Sequence, residues 1–321
     1  MKYKILQLSF PNGAHFGKNS LDDTNYTFCA DTFFSSLCIE SIKMGNSKLD
    51  YLLECVKKGE LLFSDAFPYI KNTYYIPKPK LRLNLNEDGN SSKKKKFKNL
   101  SYLDIKLLNE YLSGNYPEDR MKDLNNLGTK YIKTSVSIRG EEESKPYRVG
   151  EYKFYDKCGL YIIVAFKEDN IFAFLMQLMD SLSFTGIGGK RNSGLGKFFY
   201  YDSDVPDDMK EYFIINDKSD NKFMTLSVAL PRDNEIDDVI EKAEYQLIKR
   251  SGFVYSDKYA DEQLRKKDLY VFDSGSCFSK TFEGDVYDVS ADGNHPVYRY
   301  AKPIFIKLDD IYNNRKRINN E

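Results

Sequence analysis

Residues 186–198, GIGGKRNSGLGKF, place five glycines and three cations, Lys190, Arg191 and Lys197, within thirteen positions that hold no acid. Without a Cβ, glycine adopts positive φ and lets backbone N–H groups come close to an anion, so this composition suits the gripping of phosphate. Two familiar phosphate loops fail by register. A Walker A loop needs G-x-x-x-x-G-K-[ST], yet Gly189 and Gly194 are followed by Leu195, and Lys197 is followed by Phe198. A dinucleotide fingerprint needs G-x-G-x-x-G, but arginine occupies position 191 after Gly186 and Gly188, and phenylalanine occupies position 199 after Gly194 and Gly196. Both motifs also run strand, loop, helix. Here Ile171, Phe174, Leu175, Leu178, Met179 and Leu182 recur at helical spacing before the loop, and the aromatic, β-prone FFYY follows it. No helix N-terminus comes after the loop to receive a mononucleotide phosphate.

Other chemistry-bearing residues are sparse. His15 and His295 are the two histidines, and no metal-ligand spacing accompanies them, so neither a zinc site nor any cofactor is expected. Cys29, Cys38, Cys55, Cys158 and Cys277 are odd in number and form no C-x-x-C pair, which reads as small reduced core residues. The acids of YDSDVPDDMKEYF lie in an irregular polar run and resemble no paired metal-binding carboxylates. Forty-eight Lys and Arg balance forty-eight Asp and Glu, which argues against a protein that coats polyanions over its whole surface. The cations are clustered nevertheless: in the glycine loop, in PKPKLR (Lys78, Lys80, Arg82), and in the five lysines of KKKKFK. Separated charge of this kind suits an anionic ligand on one face and a protein partner on another.

The elements that position the loop can be read from periodicity. KILQLSF alternates as a half-buried strand and enters it directly from the N-terminus; no leader and no apolar run of membrane-spanning length is found, so a cytoplasmic protein is expected. CADTFFSSLCIESIKMG reads as a core-facing helix capped by Asp31 or Thr32 and stopped by Gly45. TYYIPKP reads as the second strand, GLYIIVAF as a fully buried third, and the helix and glycine loop lead to a fourth. The order β-α-β-β-α-β predicts an α+β fold with a ferredoxin-like, RRM-like domain over residues 1–205. Residues 82–150 form an insertion longer than a compact connection, and so a suspected site of function. Its first part, NEDGNSSKKKKFKN, is expected to be mobile, as either a functional or a merely solvated loop. Its last part, YIKTSVSIRGEEESKPYRVGEYKFY, reads as a projecting hairpin. After an acidic linker at about 202–220, KFMTLSVAL, a helix in EIDDVIEKAEYQLI that turns into strand near QLIKRSGFVYS, and the strands of DLYVFDSGSCFS, GDVYDVS and PVYRYAKPIFI predict a second, degenerate RRM-like domain over 206–321.

With these elements placed, HFG (His15, Phe16, Gly17), the TFCADTFFSSLC helix and above all GIGGKRNSGLGKF make the chain resemble the RAMP superfamily of CRISPR-associated RNA-binding proteins. The closing GSCFSKTFEGDVYDVSADGNHPVYRYAKPIFI looks like the fourth subunit of the Csm-type, type III-A, effector complex. The resemblance implies a non-catalytic subunit that holds the repeat-derived 5′ handle of the CRISPR RNA and binds both the large polymerase-like subunit and the first of the stacked backbone subunits. The loop suits single-stranded RNA: Gly186, Gly188, Gly189, Gly194 and Gly196 open the backbone, Lys190, Arg191 and Lys197 neutralise phosphates, and Asn192 and Ser193 reach 2′-hydroxyls or base edges. His15, Phe16, Gly17 and Lys18 follow the first strand; His15 either touches a nucleotide beside the loop or is a histidine without a role. Arg139, Tyr147 and Arg148 lie near the hairpin tip, where related subunits use a thumb as a wedge; a plain surface hairpin is the other reading. The RRM aromatic signature is absent, so stacking on the sheet face is not expected. Two alternatives stay open: a RAMP-type endoribonuclease that processes precursor CRISPR RNA through His15, and a nucleotide-binding protein.

Overall fold

The computed structural model describes residues 1–18, 20–83, 91–137, 145–214, 222–256 and 258–308. Strand β1 (Lys2–Ser9) is followed by helices α1 (Ala30–Met44) and α2 (Asn46–Lys57), divided where Gly45 takes φ 120°. Next come β2 (Leu61–Phe63), β3 (Phe67–Ile70), β4 (Thr73–Pro77), α3 (Ser91–Asn99) and β5 (Tyr102–Asp104). The hairpin β6 (Gly128–Ser137) and β7 (Lys145–Phe154) precedes β8 (Cys158–Phe166), α4 (Asp169–Thr185) and β9 (Phe199–Asp204). These strands make an antiparallel sheet in the order β9-β1-β8-β3-β4-β5, with β2 also paired to β8.

Alternation along β1 and the unbroken apolar run of β8 dictate a sheet buried on both faces. Leu6, Leu8, Leu160 and Ile162 meet Phe33, Phe34 and Leu37 of α1 and Leu175, Leu178 and Leu182 of α4. On the other face Ile5, Tyr161, Ile163 and Ala165 meet Met209, Phe213, Met224, Leu226 and Ile306. The latter come from the C-terminal part, where β10 (Lys222–Thr225) lies antiparallel between β13 (Cys277–Phe278) and β16 (Phe305–Leu308). Two further antiparallel pairs complete it, β11 (Leu247–Arg250) with β12 (Leu269–Phe272) and β14 (Asp285–Asp288) with β15 (Tyr298–Ala301). Both large cores draw residues from either side of position 205. The architecture is α+β with antiparallel sheets.

Several expectations need correction. TYYIP forms β4, but the strand beside β8 is Phe67–Ile70; its Phe-Pro-Tyr-Ile run is too short to show a period. Helix α2 and strand β2 are additions to the expected element order. The lysine run is not a free loop: Ser91–Asn99 is helical, Phe97 is buried, and the α3 carbonyls of Phe97 and Lys98 accept from Lys78 Nζ at 3.3 and 2.8 Å. One apolar residue per two turns anchors a helix that composition alone cannot reveal. Residues 84–90 and the lysine side chains at 93 and 94 lie outside what the structure describes. The acidic "linker" packs as far as Ile214, with Met209 and Phe213 buried and Phe213 stacked on Tyr3 at 4.5 Å. The helix expected in EIDDVIEKAEYQLI covers only Ile236–Ile240 before the chain turns to strand at Leu247.

Asp31 and Thr32 do not cap α1. Its N-cap is Cys29, without a side-chain bond, and the Ala30 N–H donates to the Asp65 carboxylate at 2.7 Å. Asp31 instead accepts from Arg250 Nε and Nη2 at 2.9 and 2.7 Å and from Arg299 Nη1 at 2.8 Å. Burial opposes ionisation of Asp31, but the guanidiniums of Arg250 and then Arg299 prevail and hold its carboxyl below the usual range. This triad, with Asp31 and Arg299 buried and Arg250 half-buried, clamps the start of α1 to β11 and β15. All five cysteine thiols are free.

Candidate nucleic-acid interface

The glycine loop is built by its own backbone. Gly186 ends α4 at φ 84° and its N–H donates to Leu182 O at 2.7 Å. Ile187 is fully buried, and its N–H donates to Gly196 O at 2.9 Å, closing the base of the loop. Gly196 N–H in turn donates to Gly13 O, and Gly189 N–H to His15 O, both at 2.9 Å. Buried Leu195 and Phe198 root the far end. Between these anchors Lys190 sits at φ 56° and Arg191–Ser193 form one 3₁₀ turn.

The glycines serve this close packing more than an open surface. A Cβ at Gly188 would lie 2.5 Å from His15 O, one at Gly189 2.7 Å from His15 Cδ2, and one at Gly186 2.8 Å from Gly196 C. At Gly196 it would collide with Ile187 O. Gly194 alone of the five has room, its nearest neighbour being Asn12 Nδ2 at 3.9 Å, so there the requirement is only φ 85°.

His15 lies beside the loop, one of the two readings the sequence leaves open, but it is only 6% exposed. Its Nδ1 donates to Gly150 O of β7 at 2.6 Å, so the imidazole joins the hairpin base to the glycine loop. Phe16 is a core residue, 4% exposed, with Phe28 at 5.0 Å and Phe10 at 5.7 Å, and only an edge of it lines the cleft beside Gly188. Gly17 and Lys18 are exposed.

The hairpin forms as read, with Gly128 opposite Phe154 through to Ser137 opposite Lys145. Arg139 lies outside the described residues; Tyr147 and Arg148 are on β7, exposed. Tyr147 reaches the loop, with Lys190 Nζ 4.8 Å from its ring centroid. Arg191 stacks 4.6 Å from the ring centroid of Tyr255, in the C-terminal part. Asn192, Ser193 and Lys197 face solvent. The loop thus presents two cations on aromatic rings supplied by segments remote in sequence, and a third in the open.

Beside Gly188 opens a polar cleft of about 210 Å³, lined among others by Gly17, Asn25, Thr32, Asp65, Tyr102 and Arg250. Burial pushes the Asp65 carboxyl up to about 7, against the pull of the Ala30 and Val228 N–H groups. Reasoning from the sequence missed Arg250, Tyr255 and Asp65. They occupy unremarkable β-prone or loop stretches, and nothing local marks them. Conversely, two of the PKPKLR cations are structural: Lys78 caps α3, and Lys80 pairs with Asp273 at 3.0 Å.

A family model for the C-terminal domain of CRISPR Csm4 matches residues 218–308. A "CRISPR system Cms protein Csm4" of Mycobacterium tuberculosis is 36% identical over 315 residues, spanning 97% of this chain and 99% of that protein. The chain belongs to the Csm4 family. A protein of the same description from Streptococcus thermophilus is 35% identical, spanning 96% of this chain and all of that one. Among solved structures, Csm4-type folds include a Csm3–Csm4 subcomplex of a type III-A interference complex, with TM-score 0.65 at 21% identity over 96% of this chain and all of the other. A Csm1–Csm4 cassette with pppApA superposes with TM-score 0.58 at 18% identity, over 96% of this chain and 98% of the other. Among the described residues no helix is long and apolar enough to cross a membrane.

Proposed function

We propose that this chain is the subunit of a type III-A CRISPR effector that caps the 5′ repeat-derived handle of the CRISPR RNA. The observation that carries this reading is convergence: the loop after β1, the base of the hairpin and Tyr255 all meet the glycine loop, where cations and the polar cleft adjoin. Lys190, Arg191 and Lys197 take phosphates, Asn192 and Ser193 take 2′-hydroxyls or base edges, and the cleft beside Gly188 gives a splayed nucleotide somewhere to go. Guide–target pairing reads sequence in such assemblies, so a rigid loop with few side chains need only recognise one invariant segment. His15 acts by joining loop to hairpin and not by touching RNA.

The sheet order β9-β1-β8-β3 with α1 and α4 on one face supports a ferredoxin-like reading of residues 1–205, and we read 206–321 as its degenerate counterpart. Solved relatives pair with Csm3 and with Csm1, and by that likeness this chain joins a backbone subunit to the large subunit in the cytoplasm. The role is non-catalytic. A general acid or base must reach the proton it moves, and although the bond from Nδ1 to Gly150 O leaves Nε2 free, His15 is only 6% exposed and has little access to a substrate.

Affinity purification from the native host tests the proposal. The expected product is a multi-protein assembly whose RNAs carry variable guides behind one shared 5′ segment. Recovery of RNA-free monomer, or of RNAs without a common 5′ end, refutes it.

A further inference from the structure

The sheet face away from α1 and α4 is covered by the C-terminal part at one end only. At the other end Phe199 and Tyr201 of the edge strand β9 stand 72% and 67% exposed. Tyr201 lies opposite Gln7 of β1, and Phe199 opposite Ser9, which puts both rings on the face that carries Gln7. Gln7, Tyr69, Lys71, Asn72 and Lys157 line a shallow recess of about 650 Å³ directly beside them.

Although the RRM aromatic signature is absent and sheet-face stacking is not expected from it, we propose that this recess and the exposed Phe199–Tyr201 pair of the edge strand form a second binding surface for single-stranded RNA, separate from the glycine loop. Rings at positions i and i+2 of a strand lie about 6.8 Å apart, twice the base-stacking repeat of about 3.4 Å, so each takes the face of a splayed base. Lys71 and Lys157 occupy positive φ, 54° and 57°, a region non-glycine residues rarely adopt, and Lys71 N–H donates to Lys157 O at 2.7 Å. That bond sets both lysines at one corner of the recess, and neither forms an ion pair among the described residues. Gln7 Nε2 donates to the Tyr74 hydroxyl at 2.6 Å, which leaves its Oε1 and the Asn72 amide for base edges. No acid lines the recess, and β9 begins two residues after Lys197, so the surface continues from the cationic loop. Aromatic faces beside unneutralised cations and amides match a nucleic acid better than an apolar protein patch.

The test uses the full chain and a twelve-nucleotide, uridine-rich RNA without repeat sequence that carries one 4-thiouridine. Crosslinks should map to Phe199, Tyr201 or residues 69–72. The Phe199→Ala/Tyr201→Ala double variant should bind at least about fivefold more weakly, with an unchanged melting temperature, since both rings are exposed. Lys157→Gln should flatten the salt dependence of binding. No binding by the native chain, crosslinks confined to residues 186–198, or unchanged affinity of the double variant would each overturn the proposal. So would a double variant that keeps RNA but loses copurifying subunits, which would mark a protein-docking face. Arg191→Ala separates this surface from the handle site: weakened handle binding there, with an unaffected double variant, supports the handle reading and removes this one.

Discussion

Gly194 and Gly196 provide a matched pair for testing what shapes the glycine loop. Both take positive φ, 85° and 75°, so either alanine substitution forces an L-residue into the left-handed region, at about 1–2 kcal/mol. Gly194→Ala meets nothing closer than 3.9 Å. Gly196→Ala, in contrast, drives a methyl into Ile187 O and disrupts the 2.9 Å bond from Ile187 N–H to Gly196 O. Ile187 is fully buried, so its freed N–H has no water to turn to, a further loss of about 1–3 kcal/mol. The totals are about 1–2 kcal/mol for Gly194→Ala and about 2–5 kcal/mol for Gly196→Ala. With a urea slope of about 3 kcal/mol/M, the midpoint should fall by about 0.3–0.7 M in the first variant and about 0.7–1.7 M in the second. Urea unfolding followed by far-UV circular dichroism measures both. Equal midpoints, or a Gly196→Ala midpoint matching the native one, would refute the view that internal packing selects these glycines.

Three further outcomes follow from the site and its supports. Arg191→Ala should weaken binding of handle RNA and reduce the slope of log affinity against log salt by about 0.7, one single-strand phosphate, when measured by fluorescence anisotropy between low and moderate salt. Asp31→Ala leaves the buried Arg299 and the half-buried Arg250 without their carboxylate, and should lower unfolding free energy by about 3 kcal/mol in the same urea assay. Asp65 titrates near 7 when folded and near 4 when unfolded, so the folded state holds its proton longer; its contribution to stability is complete below about pH 4 and is lost as pH rises toward 7. Asp65→Asn keeps an acceptor for Ala30 and Val228 and should flatten that decline, read as the difference between the two stability-versus-pH curves.

Much of the framework is local and therefore legible in the sequence. Alternation marks β1, a continuous apolar run marks β8, a 3.6-residue period marks α4, and the β6–β7 arms are β-prone around a polar tip; each signal arises within a single element. The glycine loop announces itself by composition, and its likeness to known RNA-binding proteins led to the correct family. Other features depend on partners distant in the chain. The strand β3 is defined by pairing with β8, α3 by the single buried Phe97, and the start of α1 by Asp65 and two arginines more than 200 residues beyond Asp31. The site divides the same way. Lys190 and Arg191 are plain in the sequence, but their aromatic supports Tyr147 and Tyr255 are brought to them only by tertiary folding. His15 and Phe16 show the converse: residue type made them candidates for RNA contact, whereas packing committed one to a carbonyl and the other to the core. Sequence determines which groups a segment can offer; the free energy of burying them against remote neighbours decides which of those groups remain available to a ligand.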